Sequence, residues 1–391
     1  MAIFLHHDLK LLNPRFDSPL VDVLTDLEHL RRLQLQITTP ELVFKQLKDV
    51  FHYLESLSSA RIEGNHTKLA DYVETKVHPT DAQGQSEQIT ELTNIEQAMS
   101  QVEQSVQAGD PIPENLLRGL HHTVVQDLQR EGDAHPGEYR AGPVQIAAAE
   151  HLPPEALAVP GYMADLAAFI NQQDPPKYDL IKVALAHHRF AWIHPFGNGN
   201  GRVVRLLTHA MLIKYGFQVN AAGRLLNPAA VFCADRDAYY AHLAAADTGT
   251  PEALEAWCLY VLKGIRDELK RVTRLTDYYH LQRVVLLPMV THAQGRQLIN
   301  AQEAAILRTT IAAGIVKSSA LEQAMPGSSG VQRTYRIRQL VASGMLQPIA
   351  PGARQYTVGF NNNTLLRGVI HALTAEGFIS AALAQAPGAR H

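Results

Sequence analysis

The chain of 391 residues is poor in cysteine, with only Cys233 and Cys258. Two isolated cysteines exclude a disulfide framework and a cysteine-rich zinc site, and they favour a reducing compartment. No apolar run approaches the roughly 20 residues that a membrane span requires, and the start MAIFLHHDLK has no long apolar core behind a basic segment. We therefore expect a cytoplasmic protein with no signal peptide and no membrane partner.

The sequence also lacks a strong excess of either charge. It has 35 Lys and Arg against 38 Asp and Glu, which gives a formal net charge of -3. This balance argues against a chain that coats nucleic acid along its whole length, although a local basic patch is compatible with it. The 46% hydrophobic fraction and the length predict a large core divided among two or three domains.

Apolar spacing predicts a mainly α fold. The stretch SPLVDVLTDLEHLRRLQLQI places Val21, Leu24 and Leu27 at helical intervals after a cap at Ser18 or Asp17. We predict an N-terminal helical segment over 1–110, a helical domain over 111–275, and a linker helix with a further domain over 276–391. One segment differs, because GEYRAGPVQIAAAEHLPPEAL has a short β-type run that predicts a hairpin or flap, with an irregular surface loop as the equal alternative. That run consists of Val144, Gln145 and Ile146.

The stretch HPFGNGNGR, residues 194–202, combines a histidine, three glycines and an arginine. Glycines permit a positive φ and a close approach of ligand to backbone, and the loop leads into the helical pattern GRVVRLLTHAMLIKYG. Its N–H groups should therefore crown a helix N-terminus, which suits a diphosphate. His194 beside such a cradle is a candidate general base. The predicted phosphate-binding residues are Gly197, Asn198, Gly199, Asn200, Gly201, Arg202 and Arg205.

The longer string HPFGNGNGRVVR closely resembles the Fic signature HxFx(D/E)GNGRxxR. The resemblance implies a protein adenylyltransferase that moves AMP from ATP to a Ser, Thr or Tyr hydroxyl of a target protein or of itself. It implies that His194 deprotonates the hydroxyl and that Arg202 and Arg205 bind phosphate oxygens. The segment PVQIAAAEHLPP is similar to the family's flap, which adds a target segment as an extra strand. RDAYYAHLAAAD resembles the adenine-side helix, with Tyr239 and Tyr240 beside the base.

One position departs from the family pattern. The family usually has Asp or Glu where Asn198 stands, and that carboxylate coordinates Mg²⁺ between the phosphates. Asn198 offers a single neutral oxygen, so we expect a weak metal site for Mg²⁺ or Mn²⁺. Three outcomes stay open: a weaker but functional metal site, another ion or donor, or a site that binds nucleotide and turns over poorly.

A second motif lies upstream, in SSARIEGN over residues 58–65. Taken alone, Glu63 and Gly64 indicate an ordinary helix end. Ser59, Glu63 and Gly64 nevertheless resemble the family's inhibitory motif (S/T)xxxE(G/N). The resemblance implies that Glu63 forms a bidentate pair with Arg205 and so inhibits the chain in cis.

Residues 301–358 suggest helix, helix, helix and hairpin, the order of a winged helix-turn-helix. This segment has six Lys or Arg against two Glu, and Arg333, Arg336 and Arg338 cluster on the third helix. DNA binding and an interaction or homodimerisation module are equal interpretations. The alternative function for the whole chain is therefore a nucleotide-sensing DNA-binding regulator with a weak or inactive catalytic site.

Overall fold

The computed structural model describes residues 4–33, 37–77, 86–146, 150–217, 228–379 and 383. The chain is mainly helical, as predicted. Its helices are α1 Pro19–Arg32, α2 Glu41–Ile62, α3 Leu69–Val77, α4 Glu87–Ser105, α5 Glu114–Val125, α6 Val159–Asn171, α7 Asp179–Ile193, α8 Asn200–Lys214, α9 Pro228–Ala234, α10 Arg236–Ala246, α11 Pro251–Thr273, α12 Tyr278–Leu281, α13 Leu287–Gly295, α14 Ala301–Ala313, α15 Gly330–Ala342 and α16 Leu366–Ala375.

Local sequence explains where these helices begin. Ser18 caps α1 by accepting a hydrogen bond from the backbone N–H of Leu20, and Pro19 occupies the first helical position. The buried face is formed by Leu20, Val23, Leu27 and Leu30, whereas the predicted Val21 and Leu24 are half-buried. The predicted cap at Ser18 is therefore confirmed, and the predicted apolar face is wrong at Val21 and Leu24.

The residues form two compact units. The first contains Met1–Gln34, Glu55–His66 and Gln85–Lys270, and the second contains Leu35–Leu54, Thr67–Gly84 and Arg271–His391. Each unit contains three separate stretches of the chain, so neither unit corresponds to one range of consecutive residues.

Two central helices organise the first unit. Every residue of α7 from Leu180 to Phe190 is buried, and so is every residue of α8 from Arg202 to Ile213. A helix buried on all sides lies in the interior of its domain. The loop 194–199 joins these two helices, so its ends are held by the best-packed part of the unit.

The second unit contains the three-stranded sheet of the described chain. Strands β1 Val316–Lys317, β2 Leu346–Pro348 and β3 Gln355–Val358 pair antiparallel in the order β1-β3-β2. The order of α14, a short 3₁₀ helix over Ala320–Ala324, α15 and the β2–β3 hairpin follows the predicted one. The sequence missed β1, whose two residues are too short to show an alternating pattern.

Of the two interpretations of the flap, the described part fits the irregular loop and not the hairpin; residues 147–149 lie outside the described ranges. Val144, Gln145 and Ile146 belong to no strand. A strand requires a hydrogen-bonded neighbour, and the described residues supply none to this segment. Among the described helices, none is long and apolar enough to cross a membrane.

Candidate active site

His194 ends α7 in a left-handed conformation, with φ 49° and ψ 62°. This conformation is uncommon for a residue with a Cβ and turns the chain sharply into the glycine loop. The ring Nδ1 lies 3.4 Å from the carbonyl oxygen of Ala191, to which it can donate its proton. Burial lowers the pKa of His194 to about 4. The ring is therefore neutral near pH 7, with a lone pair on Nε2 that can accept a proton.

The side chain of Asn200 closes the loop that follows His194. Its Oδ1 accepts from the backbone N–H of Phe196 at 2.9 Å, and its Nδ2 donates to the Phe196 carbonyl at 2.9 Å. Two reciprocal bonds hold residues 196 and 200 as a strand pair would. Asn200 is 3% exposed, so this side chain shapes the loop from inside, and only its backbone N–H is left for a ligand.

Two of the loop glycines are required by close neighbours. Gly199 has φ 75°, and a Cβ there would lie 2.8 Å from Cγ1 of Val125. A Cβ on Gly201 would lie 2.0 Å from Oε1 of Glu63. The second contact means that the carboxylate of Glu63 occupies the space directly beside the first turn of α8.

Arg205 on α8 is bound by the upstream motif. Its Nη2 donates to Oε1 of Glu63 at 2.7 Å and to the carbonyl oxygen of Ser59 at 3.0 Å, and its Nε donates to the Ser59 hydroxyl at 2.8 Å. The predicted bidentate pair is therefore wrong, because Ser59 takes the second edge of the guanidinium. Burial would raise the pKa of Glu63, but the charge and hydrogen bond of Arg205 outweigh it and hold the pKa below its usual value. Glu63 is thus ionised and bound.

Arg202 is held by other partners. Its Nη1 lies 3.1 Å from Oε1 of Glu91, and its guanidinium donates to the carbonyl oxygens of Val124 and Glu131. Oε2 of Glu91 accepts from the side chain of Asn65, the residue that follows the inhibitory motif. The segment 63–65 therefore reaches both arginines of α8, one directly and one through Glu91. A phosphate contact by Arg202 would require an exchange of these bonds.

Arg140 joins the flap to the turn that carries His194. Its Nε donates to the carbonyl oxygen of His194 at 2.8 Å, its Nη1 to Gly142 at 3.0 Å, and its Nη2 to Pro154 at 2.5 Å. Arg140 is 8% exposed. One buried guanidinium thus ties both ends of the flap segment to the left-handed turn at His194.

Residues 111–212, which include α5, α7 and most of α8, match the family model described as "Fic/DOC family". This part of the chain is a Fic/DOC family domain. A relative from Nematostella vectensis, named "Protein adenylyltransferase Fic", is 27% identical over 237 residues, which cover 58% of this chain and 51% of the relative. A "Probable protein adenylyltransferase" of Aquifex aeolicus is 28% identical over 145 residues, 37% of this chain and 40% of that protein. The chain spans about half or less of the length of these two relatives.

A solved structure has the same fold. A Fic family protein from Desulfovibrio desulfuricans G20 aligns with 88% of this chain and 97% of its own, with a TM-score of 0.52 and 24% sequence identity. This likeness extends the fold assignment well beyond the residues matched by the family model.

The two tyrosines predicted beside the adenine have different environments. Tyr239 is 2% exposed, and its hydroxyl lies 2.9 Å from Nε2 of His187, whose Nδ1 lies 2.8 Å from Oγ1 of Thr208. Tyr240 is 39% exposed, with the guanidinium of Arg236 5.4 Å from its ring centroid. Tyr239 is thus part of the core, whereas the ring of Tyr240 is accessible to an adenine base.

His121 contacts the glycine loop at Phe196 and Asn198, a role that its position in the sequence does not indicate. Its ring stacks on Phe196 with centroids 3.8 Å apart and an interplanar angle of 4°. Nδ1 accepts from the backbone N–H of Gly137, so the proton lies on Nε2, 3.1 Å from the Asn198 carbonyl oxygen. Burial lowers the pKa of His121 to about 4. A neutral ring is what this bonding pattern requires.

The residues around Asn198 do not fit a metal held by the protein. Oδ1 of Asn198 accepts from the N–H of Gly199 at 2.7 Å, so its one carbonyl oxygen is already engaged. The carboxylate of Asp133 accepts from the backbone N–H groups of Asn198 and His135, both at 2.9 Å. Within the described ranges no group of three or more His, Cys, Asp or Glu could hold a metal ion. A divalent cation would therefore depend on ligands that a nucleotide brings.

Proposed function

We propose that the chain transfers AMP from ATP to a hydroxyl of a target protein or of itself. The observation that carries this proposal is the neutral His194 at the entrance of a glycine loop whose backbone N–H groups begin α8. A base next to an anion cradle is the arrangement that attack by a hydroxyl on a phosphate requires. The names of the curated relatives support the same reaction.

The proposed step balances with the groups of this site. Nε2 of His194 takes the hydroxyl proton while the hydroxyl oxygen forms a bond to the α-phosphorus of ATP. The bond between that phosphorus and the bridging oxygen of the β-phosphate breaks, and diphosphate leaves. The N–H groups at the start of α8 and the guanidinium of Arg205 stabilise the developing charge.

We also propose that Glu63 inhibits this reaction in cis. In the inhibited state, Arg205 bonds Glu63 and Ser59, so the cation intended for the outer phosphates is neutralised. The carboxylate of Glu63 also repels a phosphate brought to the same place. ATP could bind only with its phosphates displaced, a position that does not permit in-line attack.

The position of the label in ATP tests the reaction. We would incubate Glu63→Gly protein with ATP labelled in the α- or the γ-phosphate and measure label bound to protein, with mass spectrometry to identify the adduct. AMP transfer predicts incorporation of α-label alone and the mass of one AMP group. Incorporation of γ-label would indicate phosphate transfer instead, and no label from either ATP would contradict both reactions.

The rate of transfer should be independent of pH in the neutral range. Burial holds the pKa of His194 near 4, so the ring is already the unprotonated base, and activity falls only as pH decreases through about 4. The initial rates of Glu63→Gly protein should therefore not decrease as the pH is lowered from about 8 to 6. A decrease in rate as the pH falls through about 6.5, the usual pKa of histidine, would show that His194 titrates as an exposed ring.

We assign Mg²⁺ to the substrate, as MgATP. Asn198→Asp should lower the Mg²⁺ concentration that the reaction requires. An added carboxylate about 4 Å from the cation contributes roughly 1–4 kcal/mol, so the Mg²⁺ concentration for half-maximal activity should fall about tenfold or more. Asn13→Asp is the matched control, because Asn13 is exposed and accepts a bond from Tyr178 that a carboxylate can also accept. An unchanged Mg²⁺ dependence would exclude residue 198 from the metal environment.

A further inference from the structure

One face of α15 is exposed and chemically distinctive. Tyr335 lies three or four residues from each of Val331, Gln332, Arg338 and Gln339, so the five share one face of the helix, and all five are exposed. The exposed fractions of Val331 and Tyr335 are 81% and 62%. The opposite face is anchored in the second unit by two buried residues, Ile337 and Leu340.

The charge of this helix has a single sign. α15 contains three arginines and no acidic residue. Arg333 is paired with Glu322 on the preceding short helix. Within the described ranges, Arg336 and Arg338 have no acidic partner. The helix thus presents uncompensated positive charge together with amide and aromatic groups.

Strand β1 and the turn between β2 and β3 add two further basic residues in the same unit. The Ser318 N–H donates to the Arg354 carbonyl oxygen at 3.2 Å, which places Lys317 and Arg354 on adjacent paired segments. Both side chains are exposed. Over residues 301–358 there are six Lys or Arg against two Glu, whereas the whole chain has a net charge of -3.

We propose that the exposed face of α15, together with Lys317 of β1 and Arg354 between β2 and β3, binds double-stranded DNA. The major groove is about 12 Å wide and admits an α-helix. Arg338 and Gln339 have the donor and acceptor geometry that reads guanine and adenine edges, and the methyl groups of Val331 suit thymine. Lys317 and Arg354 would contact phosphates, which account for the salt-dependent part of the affinity for DNA.

The test uses the full chain and a fluorescent duplex pool of random sequence. Anisotropy titrations at about 50 and 200 mM salt should show binding that weakens steeply with salt. Arg354→Gln should reduce the slope of log K against log salt by about 1, and Arg338→Gln should weaken binding about fivefold or more. Repeated selection from the pool should enrich a sequence motif for the wild type. Arg15→Gln, at an exposed arginine of the first unit, is the matched control.

Two results would overturn the proposal. One is the absence of duplex binding at about 50 mM salt. The other is duplex binding that Arg338→Gln, Tyr335→Ala and Arg354→Gln leave equal to that of the control. If Tyr335→Ala instead abolished self-association or binding of a protein while no duplex bound, the face would be a protein interface. Circular dichroism of each variant shows whether the second unit stays folded.

Discussion

Glu63→Gly should raise the initial rate of AMP incorporation by on the order of 10- to 100-fold. A charge-assisted hydrogen bond contributes roughly 1.5–3 kcal/mol, and about 1.4 kcal/mol corresponds to a factor of ten. The substitution frees Arg205 and removes the carboxylate beside Gly201. Incorporation of α-labelled ATP, measured against wild type at the same ATP concentration, gives the ratio directly.

The chain offers a closely matched control for this substitution. Glu376 is exposed, follows the end of α16 and precedes Gly377, whose φ is 73°. Glu63 likewise follows α2 and precedes Gly64, whose φ is 98°. Glu376→Gly therefore repeats the backbone change without touching Arg205, and its rate should equal that of wild type.

Conservative variants separate the charge of Glu63 from its size. Glu63→Gln keeps the volume and loses the charge, so its rate should lie between wild type and Glu63→Gly. Ser59→Ala removes one hydrogen bond to Arg205 and should activate less than Glu63→Gly does. Equal rates for wild type and Glu63→Gly, in the presence of measurable activity, would contradict inhibition by this residue.

His194→Ala in the Glu63→Gly background should reduce AMP transfer by about 100- to 10,000-fold, the usual contribution of a general base. Binding of ATP should change little, because the ring approaches the hydroxyl and not the nucleotide. Initial rates and the Kd for ATP, measured on the same preparation, distinguish the two effects. Transfer that persists at the parental rate would remove His194 from the mechanism.

The control for this variant is His29→Ala. His29 is exposed in the last turn of α1 and belongs to the same unit. Its loss should leave both the rate and ATP binding unchanged. A fall in both variants would point to a general loss of folded protein, which a thermal unfolding curve would reveal.

Much of this site could be predicted because its parts follow one another along the chain. The sequence around His194 and Arg205 fixes the order of base, glycine loop and cation, and the helical pattern on either side predicts where the loop begins and ends. The contact of Glu63 with Arg205 was predicted from a motif, whereas the two bonds from Arg205 to Ser59 were not. Spacing within a segment does not fix which edge of a guanidinium a distant carboxylate meets.

The parts that were missed depend on packing between distant segments. Glu91, His121 and Asp133 meet the loop only because their segments lie against α8 and residues 194–199. Arg140 gives no signal in the sequence, since its four acceptors are backbone carbonyls. Every residue has a backbone carbonyl oxygen, so the residue types in a sequence do not indicate which carbonyl oxygens a side chain will contact.

Gly201 has a consequence for the evolution of this chain. Its missing Cβ leaves room for the carboxylate of Glu63, while the proposed phosphate cradle would require the same open backbone. Selection on either state alone would preserve the glycine, so its retention among descendants would not reveal which one was kept. Inhibition could be lost along two mutational routes, by removal of the carboxylate at 63 or by gain of a single methyl at 201. Only removal of the carboxylate at residue 63 would be compatible with the proposed activity. We would therefore expect descendants with a constitutively active chain to differ at residue 63 and to retain Gly201.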